Sequence, residues 1–291
     1  MGVMTVSILG GEPSLYKDII PLIKAIDNLN IKFTMTTNGV NMSNELINAI
    51  VNSKNMIPVF SIQSLDKLNE KLMGVSFEVQ LNNLKKILSK NKKCRINTVY
   101  TTQNKKQIFK LIDFCLENKI DRYSIGYYVD LNETNTIENK KNFNECKELL
   151  KEIDDYIRLE KNNNTLDFSI EGCMLYSSYT EITDNIIETD FDKLIYGCDC
   201  GNSKFEVRYD GIAYPCIAFN GTTIQCENVF EKGLQNVWDN DQSLNLLRNY
   251  KNKNIICNKC NLYLFCNGGC PAINYKEHKD IINFKDSRCL K

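Results

Sequence analysis

Seven of the thirteen cysteines stand in one spaced array near the C-terminal end, and no other feature limits this chain so tightly. The array opens at Cys200, from which ten residues lead to Gly211 and four more to Cys216. It continues as Cys257-x2-Cys260-x5-Cys266-x3-Cys270 and closes eighteen residues later at Cys289. Soft thiolates held at short loop spacings select iron–sulfur clusters or zinc. In a reducing compartment such cysteines serve as metal ligands or buried thiols rather than disulfides.

The bulk composition removes several classes of function. With 36 basic and 36 acidic residues the net charge is zero, so there is no electrostatic case for nucleic acid or an acidic membrane as partner. No apolar run approaches the length that spans a bilayer. The first nine residues lack a basic n-region and cleavage site, and Val6 stands where a myristoylation signal needs Ser or Thr. The expected location is the cytoplasm. The single histidine, His278, is expected to be a solvated loop residue. Its isolation excludes multi-histidine zinc sites and argues against Ser-His chemistry.

At 291 residues the chain can bury a full core. Its first half alternates short apolar runs with helical patterns. Strands are expected at 3–9, 32–36, 57–62, 95–100 and 123–129. Helices are expected between them at 18–29, from the capping Ser43 to 51, at 77–88 and at 107–117. The helix at 77–88 should bury a stripe of Val79, Leu81, Leu84, Ile87 and Leu88. Alternation of this kind is the mark of an α/β fold with a parallel sheet or barrel, in which chemistry gathers at the C-terminal strand ends. Those ends carry Gly10-Gly11-Glu12-Pro13, Thr37-Asn38-Gly39, Ser61-Ile62-Gln63-Ser64 and Thr101-Thr102-Gln103-Asn104. The glycines would let a ligand approach the backbone, while Glu12 or exposed carbonyls could hold a cation. Residues 132–160 turn helical and charged. Beyond 196, Asp210-Gly211 signals a hairpin, residues 244–250 a short helix, and the remainder cysteine loops. Cys94, Cys115 and Cys146 read as ordinary buried thiols.

These motifs together resemble the radical S-adenosylmethionine (radical SAM) enzymes that carry a C-terminal SPASM domain. Gly10-Gly11-Glu12-Pro13 looks like the family's second-strand motif, which receives the amino group of the methionine moiety. Ser61-Ile62-Gln63 resembles the fourth-strand segment whose serine contacts the cofactor, and Thr37-Asn38-Gly39 resembles the third-strand end. The cysteine array resembles SPASM, the domain that carries two auxiliary four-iron–four-sulfur (4Fe–4S) clusters in peptide and protein maturases. The resemblance covers nearly the whole chain.

It implies a partial radical SAM barrel over residues 1–131, a helical linking region over 132–196 and a SPASM domain over 197–291. S-adenosylmethionine would be held by Gly10, Gly11 and Glu12 at its methionyl end, with Ser61 at the ribose region and Asn97 in the same pocket. One auxiliary cluster would use Cys198, Cys200, Cys216 and Cys270, with Cys173 or an open position as the alternative to Cys198. The other would use Cys257, Cys260, Cys266 and Cys289. A zinc site at Cys257, Cys260, Cys266 and Cys270 is the plain structural alternative. Implied partners are a peptide or protein substrate and an external electron donor such as flavodoxin or ferredoxin; the segment from Ser61 to Gly74 resembles a branch that acts on cysteine-rich peptides.

The sequence also departs from the family pattern. It holds no Cys-x3-Cys-x2-Cys, the triad that binds the reducing cluster. One βα unit fewer than the family's barrel points to a missing first unit, and the chain as it stands is expected to be inactive. Ile217 follows Cys216 where sulfatase maturases place a proton-accepting aspartate, and Met73 precedes Gly74 where many relatives place an arginine. The rival readings are a non-catalytic iron–sulfur or zinc module, an electron-transfer protein, and a sulfatase-maturase-like enzyme.

Overall fold

The structure is a computed structural model that describes residues 2–127, 148–149, 152–153, 155–156, 166–170, 198, 200–250, 256–260, 263, 268–287 and 289. The chain divides into two compact units, Met1–Gly126 with Glu148–Ile170 and Tyr127–Lys147 with Glu171–Lys291.

In the first unit six strands form one sheet in sequential order. They are β1 (Thr5–Ile8), β2 (Lys32–Thr37), β3 (Met56–Ser61), β4 (Arg95–Tyr100), β5 (Arg122–Tyr127) and β6 (Asp167–Ile170). The register is parallel for β1–β2, β2–β3, β3–β4 and β5–β6. The connections carry α1 (Ile19–Asn28), α2 (Asn44–Asn52), α3 (Lys67–Met73), α4 (Phe77–Leu88) and α5 (Lys105–Glu117), the crossovers a parallel sheet requires. Five of the strands answer the sequence pattern. The sixth, β6, falls inside the stretch read as a helical linking region, because four residues between charged segments give too short an alternation to stand out.

Alternate strand residues are buried against the helices. Phe33, Met35, Met56, Phe60, Ile96 and Tyr100 of the strands and Ile23, Ile50, Leu84, Ile87 and Leu111 of the helices are all buried. The opposite face is only half-buried at Ile57, Val59 and Ser61 of β3 and at Arg95, Asn97 and Val99 of β4. Ser43 caps α2 as expected, its Oγ accepting the Leu46 N–H at 3.2 Å.

Helix α4 departs from its expected stripe. Val79 is exposed, and Gln80 and Asn83 are buried beside Leu84 and Ile87. The reason is hydrogen bonding to the strand-end loops. Gln80 Nε2 donates to the carbonyls of Asn38 and Ser61, both at 2.7 Å. Asn83 Nδ2 donates to Gly39 O at 2.9 Å. Asn69 links Gln80 Oε1 at 3.0 Å to the Gln63 N–H at 2.7 Å. Gln63 Oε1 then accepts from Val99 N at 2.7 Å, and Asn104 Nδ2 returns to Gln63 O at 3.2 Å. These buried amides tie together the loops after β2, β3 and β4. Replacing Gln80 with Leu leaves two loop carbonyls without their donor, and is expected to cost about 2–4 kcal/mol in urea-induced unfolding.

The second unit is built from short pieces. An antiparallel hairpin pairs β7 (Glu206–Val207) with β8 (Ala213–Tyr214). Helices α6 (Val229–Lys232), α7 (Leu234–Asn240), α8 (Gln242–Tyr250) and α9 (Pro271–His278) follow. The hairpin turns at Asp210-Gly211, as the sequence indicates, with Gly211 N donating to Arg208 O at 3.0 Å. Gly211 has φ +83°, and a Cβ there would stand 2.4 Å from Asn228 Oδ1 and 2.5 Å from the Phe230 ring. Only glycine meets both demands. His278 is not a loop residue: it ends α9 and stacks on Phe284 with ring centroids 3.8 Å apart.

Candidate functional site

Each unit carries its own group of expected site residues. In the first, Gly10 and Gly11 follow β1 with φ of +88° and +44°, and the space around their Cα atoms is open. Their exposed backbone is accessible to a ligand at a strand C-terminus. The Glu12 side chain turns instead onto the protein. Its Oε1 accepts from Ser14 N at 3.0 Å and from Thr37 Oγ1 at 2.5 Å, and its Oε2 accepts from Asn38 N at 2.7 Å. Glu12 thus clamps the loop after β1 to the loop after β2.

Ser61 ends β3 and stands in register with Asn97 of β4. Asn97 Oδ1 accepts from Ser124 Oγ of β5 at 3.0 Å. Ser61, Asn97 and Ser124 therefore form a polar row on the less buried face of the sheet. Ser124 was not among the expected site residues, since one serine in a short strand carries no motif. Asn104 is fully buried, and its Oδ1 accepts from Thr101 N at 2.9 Å. It shapes its loop from within.

In the second unit the structure brings Cys198, Cys200, Cys216 and Cys270 around one apolar cluster that includes Tyr214, Phe219, Ile224, Leu247 and Ala272. The Cys200 thiol is held far above its ordinary range by its hydrogen bond with Cys198, then by burial, and then by the neighbouring Cys198, Cys216 and Cys270. Such a group of thiols can ionise together only if a cation or cluster neutralises them. Local geometry positions Cys200, Cys216 and Cys270. Gly201 N donates to Lys204 O at 2.8 Å behind Cys200. Cys216 precedes the 3-10 turn Ile217–Phe219, and its Sγ accepts the Ala218 N–H at 3.5 Å. Cys270 precedes Pro271 at the start of α9.

Cys257, Cys260 and Cys289 make the second group. Cys260 N donates to Cys257 O at 2.9 Å, the tight turn that a C-x2-C spacing favours. The Cys257 thiol is raised by burial first and then by Cys289 and Cys260 beside it. Cys266, together with Cys146 and Cys173, lies outside the described residues. Among the described residues, no three Cys, His, Asp or Glu side chains close on a single metal-ion position. The donor chemistry fits iron–sulfur clusters: thiols in two groups, the first packed among apolar side chains with a backbone N–H directed at one sulfur, the second half-buried. Cys94 and Cys115 are fully buried, and burial pushes the Cys94 thiol up to about 12 and the Cys115 thiol further. They are inert core thiols, as expected.

Comparison with known proteins agrees with this division. The radical SAM superfamily model matches residues 1–115, and the SPASM iron–sulfur cluster-binding domain matches residues 198–261. The chain is 27% identical to a probable GTP 3',8-cyclase of Sulfurisphaera tokodaii over 56% of this chain and 53% of that protein. It is 22% identical to a cysteine-type anaerobic sulfatase-maturating enzyme of Clostridium novyi, over 91% of this chain and 72% of the other. The crystal structure of Streptococcus suis SuiB superposes with a TM-score of 0.84 at 40% identity, over 99% of this chain and 67% of SuiB. SuiB structures bound to S-adenosylmethionine and to the precursor peptide SuiA match equally well. The chain thus spans about half the length of the Sulfurisphaera tokodaii cyclase and about two thirds of SuiB. No helix among the described residues is long and apolar enough to cross a membrane. With its parallel sheet, its glycine-rich strand ends and its C-terminal cysteine groups, the chain belongs to the radical SAM superfamily and carries a SPASM domain.

Proposed function

We propose that the chain acts in the maturation of a ribosomally made, cysteine-rich peptide, with two auxiliary 4Fe–4S clusters in its SPASM domain. The observation that carries this reading is the 40% identity over 99% of the chain to SuiB, a protein whose structure is known with its precursor peptide bound. Bound S-adenosylmethionine would, on taking one electron and releasing methionine, supply the 5'-deoxyadenosyl radical chemistry that removes a hydrogen atom from substrate. The protein's task is binding, orientation and exclusion of water. The exposed backbone at Gly10 and Gly11 receives the methionyl end, and Glu12 holds that loop against the loop after β2. Ser61 and Asn97 offer side-chain polar atoms from one row of the sheet. Cys198, Cys200, Cys216 and Cys270 hold one cluster, and Cys257, Cys260, Cys266 and Cys289 the other. An external flavodoxin or ferredoxin supplies electrons. Ile217 follows Cys216 where sulfatase maturases carry an aspartate, which disfavours that neighbouring activity.

The test separates binding from turnover. The 291 residues hold no Cys-x3-Cys-x2-Cys. The chain by itself is therefore expected to bind S-adenosylmethionine in calorimetry yet form no 5'-deoxyadenosine on reduction. Joined to a βα unit carrying that triad, it is expected to form 5'-deoxyadenosine and to change the mass of a cysteine-rich precursor peptide. A chain that holds its iron but binds neither S-adenosylmethionine nor peptide would overturn the proposal.

A further inference from the structure

We propose that Asp286 is the shared support of the two cysteine groups, and that its carboxylate lowers the reduction potentials of both clusters together. The proposal rests on the two-cluster reading above, and deepens it by naming a residue outside the cysteine array. Asp286 is 1% exposed. Its Oδ2 accepts the Cys270 backbone N–H at 2.8 Å, and its own carbonyl accepts the Cys289 N–H at 2.9 Å. One residue thereby fixes the backbone of a ligand from each group.

The close packing at Gly269 shows that the place is built for this side chain. A Cβ at Gly269 would lie 2.4 Å from Asp286 Cβ and 2.7 Å from its Oδ2. The backbone before Cys270 is thus shaped to let the carboxylate reach the amide. Cys289 belongs to one proposed ligand set and Cys270 to the other, so Asp286 borders both.

A buried carboxylate is costly and is retained only where it is well paired or does something else. Here it accepts from the Cys270 amide, and it places a carboxylate beside two groups of cysteines. Adding an electron to a cluster near such a charge is disfavoured. Net charge and hydrogen bonding around the sulfurs are among the levers that set cluster potentials. The Cys270 N–H is also committed to Asp286, so it is not available to a cluster sulfur. Both effects push the potentials down.

The discriminating variant is Asp286→Asn, which keeps the shape and one acceptor oxygen for Cys270 while removing the charge. In the full chain, reconstituted anaerobically and titrated potentiometrically with EPR detection, iron content is expected to be unchanged. Both midpoint potentials are expected to shift upward. A shift of one cluster alone, or of neither, with iron retained would overturn the proposal. A merely structural role would leave the potentials in place.

A second measurement needs no iron. In the apoprotein, Asp286→Ala removes the side-chain acceptor for the Cys270 N–H and keeps the backbone carbonyl that accepts from Cys289 N. Alkylation of Cys270, read by peptide mass spectrometry, is expected to speed up several-fold, with Cys94 and Cys115 unchanged as internal controls. An unaltered rate at Cys270 would refute the supporting role, even if Asp286→Asn fails to hold iron. Wild-type protein that takes up no iron would instead refute the cluster reading, and the alkylation result would still decide the role of Asp286.

Discussion

Replacing Cys200 with alanine is expected to halve the iron bound per chain, from about eight atoms to about four. Cys200 is buried among Cys198, Cys216 and Cys270, and each of these thiols influences it. A cubane that loses a ligand there loses its most buried anchor, while the group around Cys257 keeps all of its own. Cys257→Ala is expected to remove the other half, and the double variant nearly all. Cys226 supplies the control. It packs with Ala213, Val229, Val237 and Leu244, and its thiol is pushed up to about 12 by burial and then by Asp241. Cys226→Ala should therefore leave the iron count unchanged. Iron and sulfide assays after anaerobic reconstitution read all four variants. Halving by each single change separates two independent clusters from one shared site.

The second large effect is expected at Glu12. Its carboxylate accepts three hydrogen bonds, from Ser14 N, Thr37 Oγ1 and Asn38 N, and so holds two strand-end loops in one arrangement. Hydrogen bonds to charged groups contribute about 1.5–3 kcal/mol each. Glu12→Ala releases the Gly10-Gly11 loop and should weaken S-adenosylmethionine binding roughly tenfold to a hundredfold, or about 1.4–2.7 kcal/mol. Glu12→Gln retains one acceptor oxygen and is expected to fall between the two. Titration calorimetry tests this ranking. Equal losses in Gln and Ala would mean that the charge itself, and not the clamp, matters to the ligand.

The contrast between Glu12 and Gln80 shows where sequence patterns carry information and where they do not. Gly10-Gly11 after a strand, Ser43 before a helix and Asp210-Gly211 in a hairpin are all decided within a few residues. Each appears where the sequence places it. The Cys257-x2-Cys260 spacing belongs to the same class, because it encodes a local turn in which Cys260 N donates to Cys257 O. Gln80 and Asn83 look like solvent-facing residues of an amphipathic helix, yet both point inward. Their partners, Asn38, Gly39 and Ser61, come from strand ends far away in sequence. The inward orientation follows from the need to satisfy loop carbonyls, which no periodicity records. Asp286 escapes notice for the same reason: its bond to Cys270 spans sixteen residues. His278 stays exposed, as the sequence suggests, but it ends a helix rather than lying in a loop and stacks on Phe284 of the next segment. Strand β6 lies beyond a charged stretch that hides four alternating residues.

The metal content of the reconstituted wild-type chain bears on all of this most directly. Iron, acid-labile sulfide and zinc measured on one anaerobic sample should give about eight irons and eight sulfides per chain, with no zinc. One zinc per chain, without sulfide, would contradict the assignment of the C-terminal cysteines to two clusters.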